Sequence, residues 1–187
     1  MTDTATTTAT RTWTIDTSHS MVEFSVKHMM FSTVKGQFTD FSGTIDLDEQ
    51  NIAGSSVDVV IQAASIDTRD EGRNTHLKSA DFFDVETYPT ITFKSTSVEP
   101  KGDEEFDVTG DLTLHGVTKP VVLKVEQTGR GMSPFGFEVA GFSAKTKISR
   151  KDFGLNWNAA LETGGVLVGD EIKISIEIEA VPATPAE

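Results

Sequence analysis

The four histidines of this sequence, His19, His28, His76 and His115, are its side chains best matched to proton transfer near neutral pH. For acid–base work on a bound molecule, the candidates are His19, His28, His76 and Asp81, which would have to converge from separate parts of the chain. The histidines have no H-x-x-x-H spacing, so no helical metal pair is expected. There is no G-x-S-x-G elbow and no phosphate-cradling glycine–lysine loop. Cysteine is absent, which removes thiol chemistry, disulfides and zinc–thiolate sites. Asp46, Asp48 and Glu49 read as a solvated strand end rather than a metal loop. Carboxylates are plentiful, but no pair stands out. The expectation is a non-enzyme with no catalytic residue, no metal site and no cofactor.

The densest polar cluster is Arg69, Arg73, Asn74, His76, Lys78 and Asp81. It falls in the one stretch, Ser65 to Ser95, that leaves the β-pattern. Leu77, Ala80 and Phe83 approximate i, i+3 spacing, which predicts a short helix over Glu71 to Phe83. Asp67, Thr68 and Asp70 can cap its start, and Tyr88-Pro89 ends any helix. Two readings of the cluster stand side by side: a solvated helix face, or a polar lid over a cavity.

The elements around it alternate apolar and polar residues, the period of a half-buried strand. After Trp13-Thr14-Ile15, Val22, Phe24, Val26 and His28 share one face. Val34, Gly36 and Phe38 run in even positions but Phe41, Gly43, Ile45 and Leu47 in odd ones, so a bulge or bend is predicted near Thr39-Asp40. Val57, Val59 and Ile61 follow, then Ile91 and Phe93 beyond the helix. Phe106 to Leu114 and Val121 to Val125 read as a hairpin about His115-Gly116. Phe135, Phe137 and Val139 change parity at Gly141 into Phe142, Ala144, Thr146 and Ile148, a second predicted bulge. Ile172 to Ile178 puts four isoleucines on one face. About eight long strands with glycines and parity shifts favour a closed barrel over a flat sandwich. The fold class expected is all-β: an extended eight-stranded antiparallel β-barrel with a short inserted α-helix, its interior filled by side chains or holding one small ligand. Inward candidates are Val22, Phe24, Val26, Phe38, Ile45, Val59, Phe93, Leu112 and Ile174.

At 187 residues the chain suits one domain, and a net charge of −13 with scattered cations makes nucleic acid a poor partner. No apolar run is long enough to cross a membrane as a helix. Residues 1–11 and 181–187 are read as flexible tails around a domain at 12–180. The N-terminus has neither a basic nor an apolar signal region, so a cytoplasmic location is expected.

Several motifs occur in a fixed order: Asp16-x-x-His19-Ser20, Phe24-x-x-x-His28, Val34-x-Gly36-x-Phe38 and Asn74-x-His76-Leu77-x-Ser79-x-Asp81-Phe82-Phe83. Tyr88-Pro89-x-Ile91-x-Phe93, Gly110-x-Leu112-Thr113-Leu114-His115-Gly116-Val117-Thr118 and Arg150-x-Asp152-Phe153-Gly154 complete the set. From Trp13 to Ala180 the chain resembles the YceI-like family, polyisoprenoid-binding barrel proteins similar in shape to lipocalins. The resemblance implies a barrel capped by a helix and loops at one end, holding a long isoprenoid chain. It implies ligand-site roles for His19, Ser20 and His28 near one end, for Asn74, His76, Leu77, Asp81, Phe82 and Phe83 in the cap, and for Arg150 with Asp152 and Phe153. The packing alternative stands for each: Asp81-Phe82-Phe83 holding the helix down, Arg150 pairing with Asp152 or Asp81. The partner expected is an isoprenoid lipid, carried or sequestered; a lipid-converting enzyme and a self-filled interaction module remain alternatives. A homodimer and a protein partner for delivery stay open.

Overall fold

The computed structural model describes residues 10–183. The long alternating runs form eleven strand segments. They are β1 (Arg11–Ile15), β2 (Met21–His28), β3 (Ser32–Phe38), β4 (Phe41–Leu47), β5 (Ser56–Gln62) and β6 (Ile66–Asp67). After the helix α1 (Glu71–Lys78) come β7 (Thr90–Pro100), β8 (Glu105–Leu114), β9 (Val117–Met132), β10 (Glu138–Ser149) and β11 (Val168–Pro182). β1 and β2 are successive halves of one stave: β1 pairs with β4, and β2 pairs with β3. In the same way β3–β4 and β5–β6 each make one stave. Eight staves result, each antiparallel to its neighbour in sequence. β11 closes the ring on β1 at Trp13–Pro182 and on β2 at Phe24–Ile174. The expected eight-stranded barrel with one inserted helix is the observed fold.

The break between β3 and β4 falls at Thr39-Asp40, where the parity shift placed it. One extra residue there lets Phe38 and Phe41 both be buried on the same side of the wall. At Gly36 and Gly110 a Cβ would lie 2.4 Å from the ring carbons of Phe24 and Phe93, so these aromatic rings lie directly over bare backbone. The turn at His115-Gly116 has φ of 52° and 72°, the left-handed pair that a two-residue hairpin requires. His115 Nδ1 meets the Phe153 carbonyl at 3.2 Å, tying this turn to the loop after β10.

Three expectations need correction. The second bulge is real, but the extra residue is Thr128 on β9: Gly141 pairs with Gly129 and Phe142 with Gln127. Ala140, Phe142 and Ala144 therefore keep one parity, while Phe135 and Phe137 belong to the exposed β9–β10 turn and stack on each other. α1 stops at Lys78 instead of Phe83, with Asp70 as its N-cap. Beyond it Phe83 N donates to Leu77 O and Asp84 has φ 46°. This tight turn sends Phe82 onto Trp157 and Phe83 onto Phe38, which sequence-adjacent helical positions would not do. Finally, the barrel extends past both expected borders. Arg11 pairs with Leu47, and Val181 and Pro182 pair with Thr14 and Trp13. The rest of the expected tails, residues 1–9 and 184–187, lies outside the described residues.

Candidate functional site

The inward side chains leave an internal cavity of about 240 Å³. Its wall draws on every stave: Val22 and Phe24, Phe38 and Ile45, Val59, Phe93, Leu112, Leu123, Ala144, and the isoleucines at 172, 174, 176 and 178. Polar groups on the wall are few: Glu23, Ser55, Gln127, Thr146 and Arg150.

Side chains pack together at both ends of the barrel. At the helix end Leu77, Phe83, Leu114, Phe153 and Leu155 pack with Val22 and Phe38 in one apolar cluster. At the opposite end Trp13 packs against Ile45, Leu47, Phe142 and Ile178, all on the cavity wall. The guanidinium groups of Arg11 and Arg130 lie 4.8 and 5.1 Å from the Trp13 ring centre and both pair with Glu138.

Among the described residues Arg150 is the one buried cation, at 3% exposure. Its Nε donates to Gly169 O at 2.9 Å, and Nη1 donates to Leu155 O and Trp157 O at 2.7 and 2.8 Å. Nη2 reaches Val168 O at 3.4 Å and Asp170 Oδ1 at 3.3 Å. Burial pulls its pKa down from the ordinary arginine value, and Asp170 opposes that. Asn158 works beside it, donating to Val168 O and accepting from Val168 N. Together they fasten the 150–167 loop to the start of β11. That loop carries Trp157, which only the short alternation Phe153, Leu155, Trp157 after β10 marks in the sequence.

Of the residues expected at the site, Val22, Phe24, Phe38, Phe93 and Arg150 are on the cavity wall. Val26 is not; it is half-buried between Val34 and Ile172 in the ladder. His28 lies one position pair further out, beside Ser32 and Val168. Ser20 is buried, donating to Asp16 O at 2.6 Å and accepting from Glu179 N at 3.0 Å. Asn74 is also buried: its Oδ1 accepts from the Thr68 amide and hydroxyl, and its Nδ2 donates to Asp67. His76 meets Asp81 at 2.8 Å and sits edge-on to Phe82 and Trp157. Leu77, Phe83 and Phe153 belong to the apolar cluster at the helix end, and Phe82 packs tilted against Trp157. The polar groups of the cap thus hold the cap to itself. None of His19, His28, His76 and Asp81 lies on the cavity wall.

His19 is exposed in a clasp with Asp16 (2.8 Å) and Glu179 (3.5 Å), where β11 changes partner from β1 to β2. Hydrogen bonds from Ser18 and then His19 lower the Asp16 pKa to about 2, and the bond to Asp16 followed by the charge of Glu179 raises that of His19 above 6.5. A raised histidine stabilises fully below its unfolded value and loses that contribution as pH climbs through its folded one. The depressed aspartate contributes above its unfolded value of 3.8 and loses it as pH falls through about 2. The urea midpoint should therefore fall modestly from pH 6 to pH 8. In His19→Gln this slope should vanish; a slope of unchanged size would assign it elsewhere.

A closed antiparallel barrel around an apolar interior, capped by a helix at one end, defines a lipocalin-like architecture. The YceI-like domain family matches residues 13–180. Protein YceI of Escherichia coli O157:H7 is 44% identical over 163 residues, covering 87% of this chain and 82% of that protein. The crystal structure of Burkholderia cenocepacia BcnA superposes with a TM-score of 0.78 at 29% identity, covering 91% of this chain and 99% of that one. A polyisoprenoid binding domain from Saccharophagus degradans shares the fold, with a TM-score of 0.69 at 17% identity over 94% of this chain and 100% of its own. The chain belongs to the YceI-like family. Among the described residues no helix is long and apolar enough to cross a membrane.

Proposed function

We propose that the barrel holds the hydrocarbon chain of an isoprenoid lipid in its cavity and carries or sequesters it without altering it. The observation that supports this most is the wall itself: an internal space lined by aliphatic and aromatic side chains from all eight staves, with few polar groups. The Saccharophagus degradans domain of the same fold is described as polyisoprenoid binding. Burying chain carbon contributes about 0.8 kcal/mol per CH₂. That attraction has no direction, so the wall reads length and girth rather than head group.

Organic extraction of the purified protein followed by mass spectrometry tests the reading. A prenyl lipid in stoichiometric amount, recovered unchanged after incubation, is the expected result. Recovery of an altered lipid would make the protein an enzyme, and an extract without any prenyl chain would remove the proposal.

A further inference from the structure

One outer face of the barrel gathers cations against the trend of the chain. The net charge is −13, yet Lys35, Lys124, Lys145, Lys147 and Lys173 border a single groove of about 630 Å³ with Glu23 as its one carboxylate. The ladder sets Lys124 directly opposite Lys145, and Lys147 directly opposite Lys173. Lys145 and Lys147 are two residues apart on β10, so both pairs face the same side. Like charges directly opposite destabilise an antiparallel pair. Neutralisation is partial: Asp107 takes Lys124 at 2.7 Å and Glu171 approaches Lys147 at 3.5 Å. Among the described residues Lys35, Lys145 and Lys173 have no carboxylate within 4.0 Å.

This groove shares residues with the cavity. Glu23, Phe24, Thr146 and Ile174 border both. The β9–β10 ladder ends at Lys124–Lys145, and beyond it Thr146 Oγ1 donates to Val122 O at 2.8 Å across the separating strands. The groove crosses the paired strands β10, β11, β2 and β3 and meets a seam in the wall at its β9–β10 edge. Its positive charge is also confined. The neighbouring row on one side carries Glu126 and Glu177, and that on the other carries Glu171 together with Lys27. The acidic row on the Glu126–Glu177 side repels a broad anionic surface and favours one small, highly charged group.

We propose that this groove binds a phosphate or diphosphate group, held by Lys145, Lys147 and Lys173 with Lys35 and Lys124 at its edges. Converging ammonium groups suit a compact multiple anion, and the two Lys–Lys contacts become favourable once it is bound. The group has two sources with the same chemistry. It is either a free phosphate or diphosphate, or the head group of a phosphorylated prenyl lipid whose chain passes the seam; the second source rests on the function proposed above.

Inorganic diphosphate titrated calorimetrically into the wild type and into Lys145→Gln/Lys147→Gln/Lys173→Gln tests the site. The expected result is saturable wild-type binding that weakens with salt, and roughly thirtyfold or greater loss in the triple variant. The variant should melt no lower than the wild type, because like-charge contacts are relieved. Equal binding by both proteins, or no saturable binding by the wild type, overturns the proposal. A second arm compares a prenyl phosphate with the prenyl alcohol of equal length. If the triple variant weakens only the phosphate, the site takes a lipid head group; if it alters neither lipid while losing diphosphate, the site takes the free anion. Should neither lipid bind the wild type, the function proposed above fails, and the diphosphate titration still decides the groove.

Discussion

Arg150→Ala should lower the stability of the barrel by about 3–5 kcal/mol, the cost of breaking a buried, fully partnered charge site. The guanidinium satisfies carbonyls of Leu155, Trp157, Val168 and Gly169 from a position 3% exposed. Removing it strands those oxygens, each at a cost of roughly 1–3 kcal/mol where water does not reach, and leaves a cavity at the start of the 150–167 loop. The loop from 150 to 167 then loses its main fastening to β11, although Asn158 still holds Val168. Urea denaturation should show a midpoint shift, and amide exchange should be fastest between Leu155 and Leu167. Lys in place of Arg restores charge without the planar fork, so it should recover only part of the loss. A variant as stable as the wild type would mean that water replaces the guanidinium at all its carbonyls.

Arg150 also shows what a sequence conveys and what it withholds. The eight staves were legible because each alternates with period two, and even the break at Thr39-Asp40 announced itself as a change of parity. The cavity wall followed from the same alternation, through Phe24, Phe38, Phe93 and Ile174. The limits of the wall did not. Val26 has the parity of Val22 and Phe24, but periodicity says nothing about how far along the barrel the cavity runs. The cap was less legible still. The family resemblance implies a ligand role for Asn74, but it is bound to Thr68, six residues back, and only the folded turn brings the two together. The bulge near Gly141 belongs to β9 for a related reason: the extra residue there shifts the parity of β9 between Gln127 and Arg130, a stretch too polar to show it, and leaves β10 unbroken. Cross-strand lysine pairs are invisible for the same cause, since Lys124 and Lys145 become neighbours only through the register of β9 on β10.

Ala144→Phe should shorten the longest prenyl chain the barrel accepts. Ala144 is a small residue on the cavity wall, half-way along β10 and 8% exposed, so added bulk there projects into the space the chain would occupy. Overfilling a packed core usually costs about 1–3 kcal/mol, but a side chain that enters an existing cavity meets less resistance. The barrel should therefore still fold. Each excluded CH₂ forfeits about 0.8 kcal/mol, so losing room for one isoprene unit removes up to roughly 3–4 kcal/mol of gross attraction. Part of this is offset because a shorter ordered chain loses less conformational freedom, which leaves a net effect of about a hundredfold on the longest ligands. Prenyl alcohols of increasing length, titrated against both proteins, should give affinities that rise and then level, the variant levelling at a shorter chain. Short chains should bind both proteins equally. Val26→Trp is the control: off the cavity wall, it should leave the plateau where the wild type has it. A plateau unmoved in Ala144→Phe, or affinity that does not rise with length at all, would place the lipid outside the barrel.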